Sequence, residues 1–109
     1  MDERRNYKRV TVQKHVGNHD CILELDGAYY YAKLIDISAS GARFYTEKAL
    51  NDDMYGKYGY VAENYYTDKS IYEKNYSVAW NSANEVGVRF DNALSAEYSY
   101  LESYYSATN

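Results

Sequence analysis

Three arginines near the start of the chain and a short polar stretch further on hold the residue types suited to gripping an anion. The stretch DERRNYKRV, residues 2–10, concentrates Arg4, Arg5, Lys8 and Arg9 in a chain whose formal net charge is -4. Each guanidinium offers a planar fork of donors that grips a phosphate bidentately or stacks on a base. In DISASG, residues 36–41, Asp36 and Ser38 fall on the same side of an extended strand. An ionised Asp only accepts hydrogen bonds, whereas Ser donates and accepts. Together they can read a base edge rich in N–H donors, such as that of guanine. Gly41 lets the chain turn and lets a ligand approach the backbone. Trp80, in VAWNSANEVGVRF (78–90), supplies a ring for stacking on a base or for filling a core. Each feature also has a plainer reading: a solvated tail, a polar strand end with a glycine turn, and a core tryptophan.

The elements that must position these residues are short strands. VTVQKHV (10–16), CILEL (21–25), AYYYAKLIDIS (28–38), ARFYT (42–46), YVAENYYT (60–67), SIYEKNYSVAW (70–80) and EVGVRF (85–90) read as strands. Asp26-Gly27 is a hairpin signal, GNHD (17–20) and ASG (39–41) are turns, NSAN (81–84) is a link, and 47–59 is a loop or short helical piece. From Asp91 the period changes. Leu94, Tyr98, Leu101 and Tyr105 mark one helical face, with Asn92 or Ser95 available as a cap. The expectation is an all-β fold: a six- to seven-stranded antiparallel barrel with a C-terminal helix. One domain follows, with residues 1–9 as a flexible basic arm, 10–91 as barrel and 92–106 as helix.

Composition narrows the functions. The chain has 109 residues and a single cysteine. Cys21 can form no internal disulfide and no zinc site by itself, which points to a reducing cytoplasm. No run is long and apolar enough for a membrane span, and the polar arm is no signal peptide. His15 and His19 have a turn between them and no further ligand candidates nearby, so no metal is expected. Ser38 has no positioned base, so no catalytic set and no enzyme are expected. The chain carries 16 Tyr and no Pro, where ordinary usage gives about five Pro. Tyr suits strands, and runs such as YYY at 29–31 put it on both faces, where its hydroxyls need partners or water.

In combination, RRNYKR, then DISASG, then VAW and GVRF before a terminal helix, the sequence resembles the PilZ domain family over nearly its whole length. That family's pattern is two adjacent arginines with a third four residues after the second, followed by Asp/Asn-x-Ser-x-x-Gly, and both motifs are complete. The resemblance implies a bacterial β-barrel receptor for the second messenger cyclic di-GMP. It assigns Arg4, Arg5 and Arg9 to gripping the ligand and Asp36, Ser38 and Gly41 to contacting guanine. Trp80 takes the position of an aromatic that lines the site in some members, and Arg43 is a secondary candidate. The expected signal is ordering of the arginine arm on binding, passed to a protein partner, with no cofactor besides the ligand. A PilZ-like interaction scaffold that binds no nucleotide is the alternative, although such members usually lack one or both motifs. A nucleic-acid-binding barrel is disfavoured by the acidic total and the few cations on the strands, and a nucleotide hydrolase by the missing metal ligands and nucleophile.

Overall fold

A computed structural model describes residues 8–107. Seven strands and one helix follow in order: β1 (Val10–Thr11), β2 (Cys21–Leu25), β3 (Ala28–Ile37), β4 (Gly41–Thr46), β5 (Tyr58–Asn64), β6 (Asn75–Ser82), β7 (Glu85–Phe90) and α1 (Tyr98–Tyr105). All pairings are antiparallel. The ladder runs β1-β3-β2-β5-β6-β7-β4, and β4 returns to pair with β3. This return closes six strands, β2 to β7, into a barrel, with β1 as an extra strand on the outer edge of β3. Closure removes the unpaired edges that an open sheet would expose.

Alternation in the sequence sets which residues face inward. β2 buries Cys21, Leu23 and Leu25 and leaves Ile22 and Glu24 half-covered, as a period of two requires. The lumen is filled by Leu23, Leu25, Leu34, Phe44, Val61, Tyr76, Val78, Val86 and Val88. The β2–β3 hairpin turns on Asp26 (φ 51°) and Gly27 (φ 91°). Positive φ at both central residues matches the twist of the flanking strands.

The buried tyrosines solve their hydroxyl problem individually. Tyr76 donates to the Glu24 carbonyl at 2.6 Å, Tyr66 to the Lys14 carbonyl at 2.8 Å and Tyr105 to Asp68 Oδ2 at 2.7 Å. Burial, with nearby negative charge, pushes all three phenols well above their ordinary pKa. Other tyrosines, among them Tyr29, Tyr31, Tyr55 and Tyr58, stand exposed on the outer faces.

Several boundaries differ from the sequence reading, each for a tertiary reason. The alternation over 10–16 yields only the two-residue β1. Beyond Val12, the amides of Gln13 and Lys14 donate to the Tyr105 carbonyl at the end of α1, at 2.9 and 3.0 Å. β6 begins at Asn75, because Ile71 is drawn into the core and the chain turns through Glu73 at φ 61°. It continues to Ser82, so the link to β7 shrinks to Ala83 and Asn84. α1 begins only at Tyr98, because Leu94 is buried as an anchor and its amide donates to the Ala39 carbonyl at 2.7 Å. Among the described residues no helix is long and apolar enough to cross a membrane.

Candidate functional site

A single register line crosses five strands. Thr11 pairs with Asp36, Asp36 with Arg43, Arg43 with Gly87, and Gly87 with Trp80. Neighbours in such a line project on the same face of a sheet. Two bulges create the alignment. Between β3 and β4 the register shifts between Leu34 and Asp36, so Ile35 is the extra residue and Asp36 comes opposite Arg43. Between β6 and β7 it shifts between Val78 and Trp80, so Ala79 is extra and Trp80 comes opposite Gly87. A bulge re-aims the side chains that follow it, a frequent device beside binding sites.

Arg9, one residue before β1, closes the line. Its Nη1 donates to Asp36 Oδ1 at 2.7 Å, while Arg43 Nε donates to Asp36 Oδ2 at 3.0 Å. Arg43 also reaches Glu85 Oε1 at 3.3 Å. Arg9, Asp36, Arg43, Trp80 and Gly87 line a cleft of about 240 Å³. The Asp36 side chain is 13% exposed and that of Arg9 53%, so the carboxylate lies on the floor and the guanidinium on the rim. A solvent-screened pair of this kind contributes about 0–1 kcal/mol. A ligand anion can therefore take Arg9 over at small cost.

Gly87 gives Trp80 its place. A Cβ at Gly87 would stand 2.3 Å from Trp80 Nε1, so the indole lies directly on the bare backbone of β7. Trp80 stays 41% exposed, and its ring forms a wall of the cleft instead of filling the core. Gly41 answers a different need. Its Cβ position falls 2.3 Å from the Val88 carbonyl oxygen, so the close approach of β7 requires glycine there.

The DISASG motif divides between cleft and turn. Ser38 is 1% exposed and does not line the cleft. Its hydroxyl accepts from the Ser40 amide at 3.2 Å and donates to the Gly41 carbonyl at 3.4 Å, and its own amide donates to that carbonyl at 2.8 Å. Ser38 thus shapes the turn that follows Asp36. Four of the residues singled out in the sequence, Arg9, Asp36, Arg43 and Trp80, come together. Arg4 and Arg5 lie outside the described residues. The sequence reading gives Glu85 and Gly87 no role. A lone glycine inside an apolar strand is a sign of close approach and could have marked Gly87; no comparable sign marks Glu85.

The two histidines have structural partners. His15 Nδ1 lies 2.8 Å from Asp20 Oδ2, a buried carboxylate that also accepts from the Val16 and Leu34 amides. The His19 ring packs tilted against Tyr31, with ring centres 4.3 Å apart. Among the described residues no group of three or more His, Cys, Asp or Glu is placed to hold a metal.

A closed six-stranded barrel, an added edge strand and an arginine-flanked cleft make up one small β-barrel domain. A family model described as the PilZ domain matches residues 3–107, and the chain belongs to the PilZ domain family. PilZ domains are binding and signalling modules in a family of cyclic di-GMP receptors. No curated protein and no solved structure shows a significant match to the chain.

Proposed function

We propose that this protein is a cyclic di-GMP receptor that binds the dinucleotide at the Arg9–Asp36–Arg43–Trp80 cleft. The observation that carries the reading is the doubly held Asp36 carboxylate, flanked by two guanidiniums and an exposed indole, in a chain with both family motifs. At about 240 Å³ the cleft is smaller than the roughly 300–1,000 Å³ of sites that enclose a drug-sized ligand. It takes one guanine, with the remainder of the dinucleotide lying outside, towards the N-terminal arginines.

Binding is an exchange of partners. A ligand phosphate displaces Asp36 from Arg9, because charge-assisted guanidinium–phosphate contacts are bidentate and strong. The freed Asp36 oxygen then accepts from the N–H groups of guanine, while Arg43 holds the other oxygen and Trp80 stacks on the base. Arg4 and Arg5 stand five and four residues before Arg9, which is at most about 18 Å of extended chain. They join the grip and order the arm across the bound nucleotide. That ordering changes the surface a protein partner meets and is the signal. The ligand drives it only through its higher affinity for the ordered state.

The test is nuclear magnetic resonance of the uniformly labelled chain with and without cyclic di-GMP. Amide order at residues 2–9 rises on saturation, and the Trp80 indole and Asp36 signals move. An unchanged arm in saturated protein contradicts the ordering step. Unmoved Trp80 and Asp36 signals contradict the site.

A further inference from the structure

A second face of the barrel carries the chemistry of a docking surface. At the other end of β3, two register lines cross β3, β2 and β5: Tyr31–Ile22–Glu63 and Tyr29–Glu24–Tyr60. Ala62, the extra residue of the β2–β5 bulge, lies between them. Ile22, Tyr29, Tyr30, Tyr31 and Ala62 line an apolar groove of about 360 Å³. Tyr29 is 63% exposed. Tyr29 and Asp36 lie seven residues apart on the same strand, about 23 Å at the usual rise, so the groove is separate from the nucleotide cleft.

The charged residues within these two register lines are carboxylates, and the nearest cation along β3, Lys33, lies beyond Tyr31 at one end. Glu24 and Glu63 sit within its two register lines, and those lines contain no Lys or Arg. Glu73 adds a third carboxylate, since it and Glu24 help to raise the Tyr60 phenol, after the leading effect of the Tyr29 hydroxyl hydrogen-bonded at 3.4 Å. Exposed phenol rings flanked by carboxylates match the arginine side chain. Its guanidinium stacks flat on an aromatic face and donates in a fork to a carboxylate. We infer that this face docks an arginine-bearing basic segment of a partner protein. Anionic lipid and nucleic acid are repelled by the carboxylates, and two copies meeting face to face would oppose like charges.

The probe is a short peptide of alternating arginine and glycine, titrated into the labelled 109-residue chain, with lysine–glycine and glutamate–glycine peptides and single-stranded RNA as comparisons. The expected result is movement centred on Ile22, Glu24, Tyr29, Tyr31, Ala62 and Glu63, with arginine bound more tightly than lysine and no response to glutamate or RNA. Tyr31→Ala, and separately the pair Glu24→Gln with Glu63→Gln, each weaken the arginine peptide about threefold or more. The Gln at position 24 keeps an acceptor for the Gly27 amide that Glu24 now holds at 2.8 Å, and unchanged core methyl signals certify the fold. Movement spread over Asp52, Asp53, Glu97 and Glu102, affinity unaffected by the variants, RNA moving the groove residues, or shifts at those residues from protein concentration alone would each overturn the assignment.

Discussion

The indole of Trp80 rests on the bare backbone of Gly87, in a space where a single methyl group would stand 2.3 Å from the ring nitrogen. This relationship makes Gly87 a positioning residue for the Trp80 wall of the cleft. The Gly87→Ala variant should push Trp80 out of line and lower cyclic di-GMP affinity about as much as Trp80→Ala does. Trp80→Phe should retain most of the affinity, because it keeps a stacking face without moving β7. Fluorescence of the lone Trp reports the displaced ring directly, as a changed emission maximum in Gly87→Ala before any ligand is added.

Asp36 is tied to two guanidiniums, and the proposed function gives it a larger part in binding than in folding. Asp36→Ala should cost about 1 kcal/mol or less in urea unfolding, since the Arg9 partner is solvent-screened. Ligand affinity should drop tenfold or more, because a hydrogen bond to a charged group is worth about 1.5–3 kcal/mol. A variant that unfolds readily while still binding would reverse these assignments.

Gly41 should show the opposite balance. Its Cβ position overlaps the Val88 carbonyl, so Gly41→Ala must separate β4 from β7 or distort both. Overpacking of this kind costs about 1–3 kcal/mol, measurable as a lower urea midpoint. Any loss of ligand affinity should follow from that destabilisation.

Asp68 moors the helix. Burial works against its carboxylate, but hydrogen bonds from Tyr100, Tyr105 and Ser70 outweigh that effect and lower its pKa. A depressed folded-state pKa gives stability that is present above the unfolded value, about 3.9, and is lost as pH falls through the folded value. The helix should therefore loosen from the barrel below about pH 4, seen as loss of near-ultraviolet tyrosine dichroism. Asp68→Asn should flatten this acid limb and weaken α1 docking at neutral pH.

The strands most legible in the sequence are those whose boundaries are local. β2 and β7 match their segments because alternation and the Asp26-Gly27 turn act over a few residues. β1 and α1 are shorter than their patterns because distant groups intervene: the Tyr105 carbonyl takes the Gln13 and Lys14 amides, and Ala39 takes that of Leu94. The site divides in the same way. Arg9 and Asp36 are legible as members of the two motifs, Trp80 through the VAW–GVRF stretch, and Arg43 only as a secondary candidate two residues past Gly41. Their convergence depends on two bulges, at Ile35 and Ala79, and nothing local marks a register shift. Ser38 reads as a base-contacting hydroxyl by strand alternation, but β3 ends at Ile37 and the side chain turns inward to the Ser40 amide.

The most direct test of the central claim is calorimetric titration of the 109-residue chain with cyclic di-GMP, alongside Arg5→Ala and Arg9→Ala, at low and high salt. Saturable binding, weakened at least tenfold by each substitution and progressively by salt, is the predicted result. No binding, or an affinity indifferent to both arginines and to ionic strength, would contradict it.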